Sequence, residues 1–448
     1  MPDDYKLFSD PVHGFISVPK GLVMALVQQP EVQRLRRIRQ LGVGHLVFPG
    51  AEHTRFNHAL GAMALMQDAL DTIAGKGTPV SRTERTAALV AALVHDIGHG
   101  PYSHTLEHYL IRDGFHHEQM SRRLLVRLAE RLSDHPQAGA LQRALQIFDG
   151  TYERAFFHRL VASQLDMDRL DYLRRDAFYT GVAEGEVGVE RLLKTLRVVP
   201  GNGGSSRAQI AVEAKGIYAV ENFLISRRLM YWQVYLHKTV LAGDELLRAV
   251  FRRVRWHFRE GRGALAEGCS PALCFFLRNA VTADDLEQRP AITDHYAALD
   301  DTDVLFSLKQ WEHAATMHDD PVLADLARRF LNRDFFRVTF LADPPSDQQM
   351  SRWRTQVAAW LRENGLALDR SRHASFEEAA RYYLTLGRSR HSTYRPGGGE
   401  AIGVLGRGGQ VRELSEVADT SALTALSERV VKPYLCYPKE VDLDLDGA

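Results

Sequence analysis

Apolar and polar positions alternate with a helical period along the first two-thirds of the chain. Between 54 and 75, His58, Gly61, Ala62, Leu65 and Ala69 recur at three- and four-residue intervals. That spacing puts them on one face of a helix, which Gly75 ends. Ser81 and Glu84 form a capping-box pattern, so a second helix opens there. From Ala87 to Val94 this helix is apolar all round, which predicts a central, buried element. Gly98, Gly100 and Pro101 stop it sharply.

Two short runs, Leu196–Val199 and Gln209–Val212, flank a polar, glycine-rich stretch at 200–206 and predict strand, turn, strand. A long helix is expected from Tyr218 to Val240, with further helices to about Phe340. Asp343-Pro344-Pro345 marks the expected domain boundary. Beyond it, Ala401–Leu405 and Gln410–Leu414 read as strands joined by a glycine-rich turn. The predicted fold is mainly α. Residues 1–340 form a helical core carrying a short β-hairpin insertion, and residues 341–448 form a small α+β unit.

The chain has 448 residues, and its 56 Lys+Arg balance 56 Asp+Glu. That balance argues against a general nucleic-acid coat, which needs a basic excess. The polar start, Met1 to Asp10, has no apolar segment of signal-peptide length, and no run approaches the roughly 18 apolar residues of a membrane span. Cys269, Cys274 and Cys436 are too few and too oddly spaced for a disulfide framework or a Cys-rich zinc site. A soluble, cytoplasmic protein is expected.

The chemistry concentrates between Leu93 and His104. His95 and Asp96 put a polar pair at the end of an apolar helix, and a buried carboxylate there needs a cation or a donor. A His-Asp pair alone is common and often only caps a helix end. Here, however, His99-Gly100-Pro101 follows, His58 lies on a helix able to pack alongside, and Asp168 supplies a second inward carboxylate. Two imidazoles and two carboxylates suit Fe, Mn, Ni, Co, Mg or Zn without choosing among them. Such an ion acidifies water and makes it a nucleophile.

These residues resemble the HD-domain deoxynucleotide triphosphohydrolases, including bacterial dNTPases and the eukaryotic SAM-and-HD-domain enzyme. The resemblance rests on blocks at Asp10–Gly14, Gln33–Gly42, Phe48–Ala51, Thr54–His58, His95–His104, His117–Gln119 and Met167–Tyr172, in that order, and covers roughly residues 5–340. It implies an HD-domain helical core. It also implies a divalent metal on His58, His95, Asp96 and Asp168, and cleavage of a dNTP into deoxynucleoside and inorganic triphosphate.

By the same resemblance, His104 is the acid for the leaving 5′ oxygen and Glu107 orients it, with His117 and His99 as further catalytic groups. Arg55, Arg169, Arg227 and Lys238 are the expected triphosphate ligands. On a continuous helix Arg227, Tyr231, Val234, Tyr235 and Lys238 share one face. Tyr235 flanks the base, Gln40 and Leu41 approach the sugar from one side, and Tyr172 and Asp176 approach it from the other. Gln33 and Arg36 match an activator site, which implies a nucleotide activator and a homo-oligomer, dimer or tetramer. Two other readings use the same residues: a phosphodiesterase or nucleotidase acting on a cyclic, oligomeric or single-stranded substrate, and a silent nucleotide-binding regulator.

Overall fold

The computed structural model describes residues 4–201, 204–261, 268–317, 320–366, 376–397, 401–418, 426–428 and 430–445. The fold is mainly helical with small sheets, as expected. The chain opens on a hairpin that sequence patterning does not reveal, β1 (Tyr5–Asp10) and β2 (Gly14–Pro19), paired antiparallel. Its turn carries Asp10, whose carboxylate accepts the backbone N–H groups of Val12 and His13 at 3.0 Å each.

The two helices anticipated around the polar pair are present. α1 spans Arg55–Gly75 and α2 spans Arg82–Val94. At the start of α2 the Glu84 N–H donates to Ser81 Oγ at 3.2 Å, and the Ser81 N–H donates back to Glu84 Oε2 at 2.8 Å. Ala87 to Val94 are all buried. Three more helices complete the frame of the site: α3 (Glu107–Leu110), α4 (His117–Arg131) and α5 (Met167–Thr180). α1 lies between α2 and α5, packing on both. Gly61 permits the α1–α5 approach, since a Cβ there would stand 1.9 Å from Asp171 Oδ1.

The long helix expected at 218–240 is two helices. α6 (Ile217–Met230) passes through one π-helical turn, Tyr231–Tyr235, before the chain breaks at Leu236-His237. α7 then runs Lys238–Arg259. His237 has extended backbone and its ring accepts the Thr239 N–H at 3.2 Å, so it acts as an N-cap in mid-run. The face shared by Arg227 and Tyr235 therefore does not continue to Lys238.

The hairpin after α5 consists of β3 (Leu196–Gly201) and β4 (Gly204–Glu213); Asn202 and Gly203 of its expected turn lie outside the described residues. β4 also pairs in parallel with β7 (Gly403–Leu405), which pairs antiparallel with β8 (Val411–Glu413). The two hairpins read separately from sequence thus form one sheet, ordered β3-β4-β7-β8. A second sheet, β5-β9-β6, joins Arg337–Phe340, Val430–Tyr437 and Thr385–His391.

Both sheets cross the boundary expected at Asp343–Pro345. So does the apolar core, which is one cluster running from Ile16 to Leu443. Residues 341–448 therefore share a core with the rest of the chain, and the division at 340 marks a loop. Among the described residues no helix is long and apolar enough to cross a membrane. Cys269 and Cys274, expected to take no part in a disulfide framework, form one local disulfide, and Cys436 is a buried thiol.

Candidate metal centre and adjoining cavity

α1 contributes His58, the end of α2 contributes His95 and Asp96, and α5 contributes Asp168. His58 Nε2 lies 3.2 Å from His95 Nε2, 3.1 Å from Asp168 Oδ1 and 3.7 Å from Asp96 Oδ2. His95 Nε2 is 3.5 Å from both Asp168 Oδ1 and Asp96 Oδ1. Around a cation with bonds of about 2.1 Å, neighbouring donors stand roughly 3.0–3.4 Å apart, so His58, His95 and Asp168 fit one ion, with Asp96 beside them. Each imidazole is turned by its other nitrogen: His58 Nδ1 bonds Asp171 Oδ2 at 2.8 Å, and His95 Nδ1 bonds the Ala92 carbonyl at 2.7 Å. Such outer partners fix which nitrogen is presented to a metal.

The electrostatics agree. Burial opposes protonation of His58, but hydrogen bonds to Asp168 and Asp171 push its pKa up to about 10. Burial likewise opposes ionisation of Asp168, yet His58 and His95 hold it below the usual carboxylate range. Asp96 is held low despite burial by His95, His99 and Arg55. The cluster thus favours positive charge where the geometry suits a cation.

Sequence reasoning missed the shell behind these donors. Asp171 also bonds His13 Nε2 at 2.6 Å and takes Arg175 Nε at 2.9 Å, while Arg175 Nη1 reaches Asp10 Oδ2 at 2.7 Å. The available signal is spacing: Asp171 follows Asp168 by three residues, on nearly the same face of α5. Arg34, buried, donates to the carbonyls of Ile97 at 2.7 Å, His99 at 2.9 Å and Leu299 at 2.7 Å, and so pins the loop after the metal donors. Tyr102 and Ser103 hold left-handed backbone at φ 52° and 49°, which is costly for non-glycine residues. Asp301 accepts the Tyr102 N–H at 2.8 Å, and Arg55 donates to Ser103 Oγ at 3.0 and 2.8 Å.

That loop delivers His104 to the site. His104 Nδ1 bonds Glu107 Oε2 at 3.0 Å, and its side chain is 69% exposed. The other Glu107 oxygen accepts the His117 N–H at 2.6 Å. Burial disfavours the His117 imidazolium, but Glu107 raises its pKa above the ordinary value. Glu107 itself is held low by the two histidines against the cost of burial. His99 stacks on His117 with ring centroids 3.7 Å apart. Burial, with Arg55 and His117 nearby, keeps its pKa well below normal, so His99 is the neutral member of the group.

A cavity of about 750 Å³ is lined by His95, Asp96 and Asp168 together with His99, His104 and His117. Gln40, Leu41, Arg55, Arg169, Tyr172, Asp176, Arg227 and Tyr235 also line it. Tyr235 Oη donates to Asp176 Oδ2 at 2.7 Å, and His53 Nε2 bonds the other oxygen at 2.7 Å. Arg169 is held by Asp166 at 2.6 Å and Arg227 by the Thr393 carbonyl at 2.9 Å. The Nε groups of both arginines are buried without a hydrogen-bond partner among the described residues.

Lys238 is the exception among the expected ligands. It does not line this cavity, and its ammonium lies 5.6 Å from the centre of the Phe340 ring. The break at Leu236-His237 moved it off the shared face. Asp244, which sequence reasoning passed over, lines the cavity and accepts Thr105 Oγ1 at 2.7 Å. Gln33 and Arg36 lie outside this cavity and bond each other at 2.9 Å, with the Arg36 guanidinium 3.7 Å above the Phe56 ring.

Comparison with known proteins brackets the same residues. The HD domain family matches residues 55–171, a span holding His58, His95, Asp96 and Asp168, and the HD associated region matches 187–268. The chain belongs to the HD-domain phosphohydrolase family. The uncharacterized protein YwfO of Bacillus subtilis is 33% identical, over 99% of this chain and 94% of its own length. The Dictyostelium discoideum homologue of the deoxynucleoside triphosphate triphosphohydrolase SAMHD1 is 32% identical over 52% of this chain and 46% of its own. This chain spans about half the length of the SAMHD1 relatives. A phosphohydrolase crystal structure from Bacteroides thetaiotaomicron aligns with a TM-score of 0.85 and 38% identity, over 97% of this chain and 99% of that one. An HD-domain protein of this kind is a metal-dependent hydrolase, and the His/Asp cluster here is able to hold its divalent ion.

Proposed function

We propose that the protein hydrolyses deoxynucleoside triphosphates to deoxynucleoside and inorganic triphosphate. The observation that carries this reading is that one cavity joins His95, Asp96 and Asp168 to two arginines whose Nε–H groups are buried and unpaired among the described residues, and to the Asp176–Tyr235 pair. Guanidinium groups with buried, unpaired N–H donors suit a polyphosphate, and a hydrogen-bonded polar pair beside aromatic rings suits a nucleoside. The SAMHD1 relatives are deoxynucleoside triphosphate triphosphohydrolases, which supports the same substrate class.

His58, His95, Asp96 and Asp168 would hold the divalent ion, which supplies Lewis acidity and an activated water. Arg55 braces Asp96 through a 2.5 Å contact. Arg169 and Arg227 bind phosphate oxygens and orient the chain of phosphates. His104 gives a proton to the leaving 5′ oxygen, with Glu107 orienting its ring through Nδ1 and His117 as a further catalytic or phosphate-binding group. Gln40, Leu41 and Tyr172 pack about the sugar, where a close wall at C2′ excludes ribose by sterics.

The chain is further read as a homo-oligomer with a nucleotide activator at Gln33 and Arg36. The test of function is a panel of dNTPs incubated with Mg, Mn or Co, with phosphate products separated by chromatography. Inorganic triphosphate is the expected product. Monophosphate with pyrophosphate would instead support a nucleotidase or phosphodiesterase.

A further inference from the structure

A second cavity, of about 670 Å³, shares no lining residue with the first. Five arginines from three separate parts of the chain line it. Arg252, Arg255 and Arg259 follow one another at helical spacing on one face of α7, Arg112 follows α3, and Arg381 follows the helix Phe376–Ala380.

Like charges at such spacing repel, so acidic partners are expected between them. Among the described residues, none of the five forms an ion pair within 4.0 Å. The single acid in the lining is the exposed Asp113. Neutral groups do the holding instead. Arg252 donates to Tyr109 Oη at 3.3 Å, Arg381 to Tyr382 Oη at 3.0 Å, and Arg255 to the carbonyls of Tyr109 and Phe276.

Arg255 is the telling member. It is 7% exposed, and its Nε is buried with no hydrogen-bond partner among the described residues. Burial, with Arg112 and Arg259 beside it, lowers its pKa to about 10. A chain with equal numbers of acidic and basic residues has gathered five cations here without an ion-pair partner among the described residues. The missing partner is an anion with several charges.

We propose that this cavity binds a small, multiply phosphorylated anion, either free polyphosphate or the phosphate tail of a nucleotide. Planar guanidiniums from three directions match phosphate oxygens better than a single carboxylate. A cavity of this size, in a chain of zero formal charge, favours a small ligand over an extended nucleic-acid strand.

The test is calorimetric titration of the full chain with inorganic triphosphate, with a non-hydrolysable adenosine triphosphate analogue, and with a single-stranded oligonucleotide. Wild-type protein should bind at least one of the two small anions. Arg112→Ala/Arg259→Ala changes side chains that are not fully buried, and should weaken that binding by roughly tenfold for each arginine lost. Arg381→Glu, at an exposed position, should do the same if the double variant fails to fold. Equal binding of both small ligands assigns a phosphate site, and a clear preference for the nucleotide assigns a nucleotide site. Unchanged isotherms in the folded variants, or an oligonucleotide binding more tightly than either small anion, would overturn the proposal. Because binding is read at residues outside the metal cavity, a failure of the proposed hydrolysis leaves this result interpretable.

Discussion

At the scale of single residues, the account turns on side chains whose chemistry is set by one or two partners. His95 contributes one of two imidazole nitrogens to a set whose members stand 3.1–3.7 Å apart. His95→Ala should therefore lose bound metal and turnover together, read by elemental analysis and a hydrolysis assay on one preparation. Normal metal content with normal activity would remove the metal centre from the account. His104→Ala should keep the metal but lose about a hundred- to ten-thousandfold in rate, as expected for loss of a general acid. Glu107→Gln carries a pH signature. The carboxylate raises the pKa of His117, so removing its charge lowers that pKa and depletes the imidazolium from the alkaline side. The alkaline limb of the pH–rate profile should shift to lower pH, and an unshifted limb would show that Glu107 only positions the loop. That His58, His95, Asp96, Asp168 and His104 come together is legible through the ordered motif blocks that hold them, since a His-Asp pair alone would not mark the place. His13, Asp10 and Arg175 are not, because His13 pairs with Asp171 and Asp10 with Arg175 across more than 150 residues.

Among elements, the legible ones are those whose pattern is local. α1 and α2 follow from periodicity and from the Ser81–Glu84 box, and the glycine-rich turn at 200–206 announces its hairpin. The break before α7 is not legible, because a helical period continues across it and the capping role of His237 shows only in its backbone. The cost of that continuity is the misplacement of Lys238. The start of α2 supports a stability prediction. Burial opposes ionisation of Glu84, but Ser81, Arg154 and Tyr152 hydrogen-bond it and bring its pKa from 4.5 to about 2. A depressed carboxylate stabilises the fold above its unfolded pKa, and that contribution is lost as pH falls from 4.5 through about 2. Glu84→Gln should cost about 1–2 kcal/mol at neutral pH. The gap to wild type should narrow across that acid window, followed by chemical denaturation at a series of pH values. A gap independent of pH would mean that packing, and not charge, sets the effect.

For the whole molecule, two features escaped sequence reasoning because they join distant segments. The tail shares its sheets and core with the N-terminal two-thirds, and its Thr393 carbonyl holds Arg227 at the substrate cavity. Separate cores cannot be told from a shared one by local pattern, and a Pro-Pro loop marks only a change of direction. The second feature is the N-terminal hairpin, whose register puts Tyr5, Leu7 and Phe15 on one face. All three are exposed, Phe15 by 74%. An apolar face of this kind is a natural subunit contact. Light scattering should find a dimer or tetramer, and Leu7→Glu/Phe15→Glu should yield a smaller species. A monomer under every nucleotide condition, with full activity, would exclude assembly as part of the mechanism.

The central claim is that water attacks the α-phosphorus of a dNTP at this centre while His104 protonates the departing 5′ oxygen. Hydrolysis in ¹⁸O-labelled water, with mass spectrometry of both products, tests it most directly. The account predicts label in the inorganic triphosphate and none in the deoxynucleoside. Label in the deoxynucleoside, or labelled pyrophosphate or monophosphate in place of triphosphate, would contradict it.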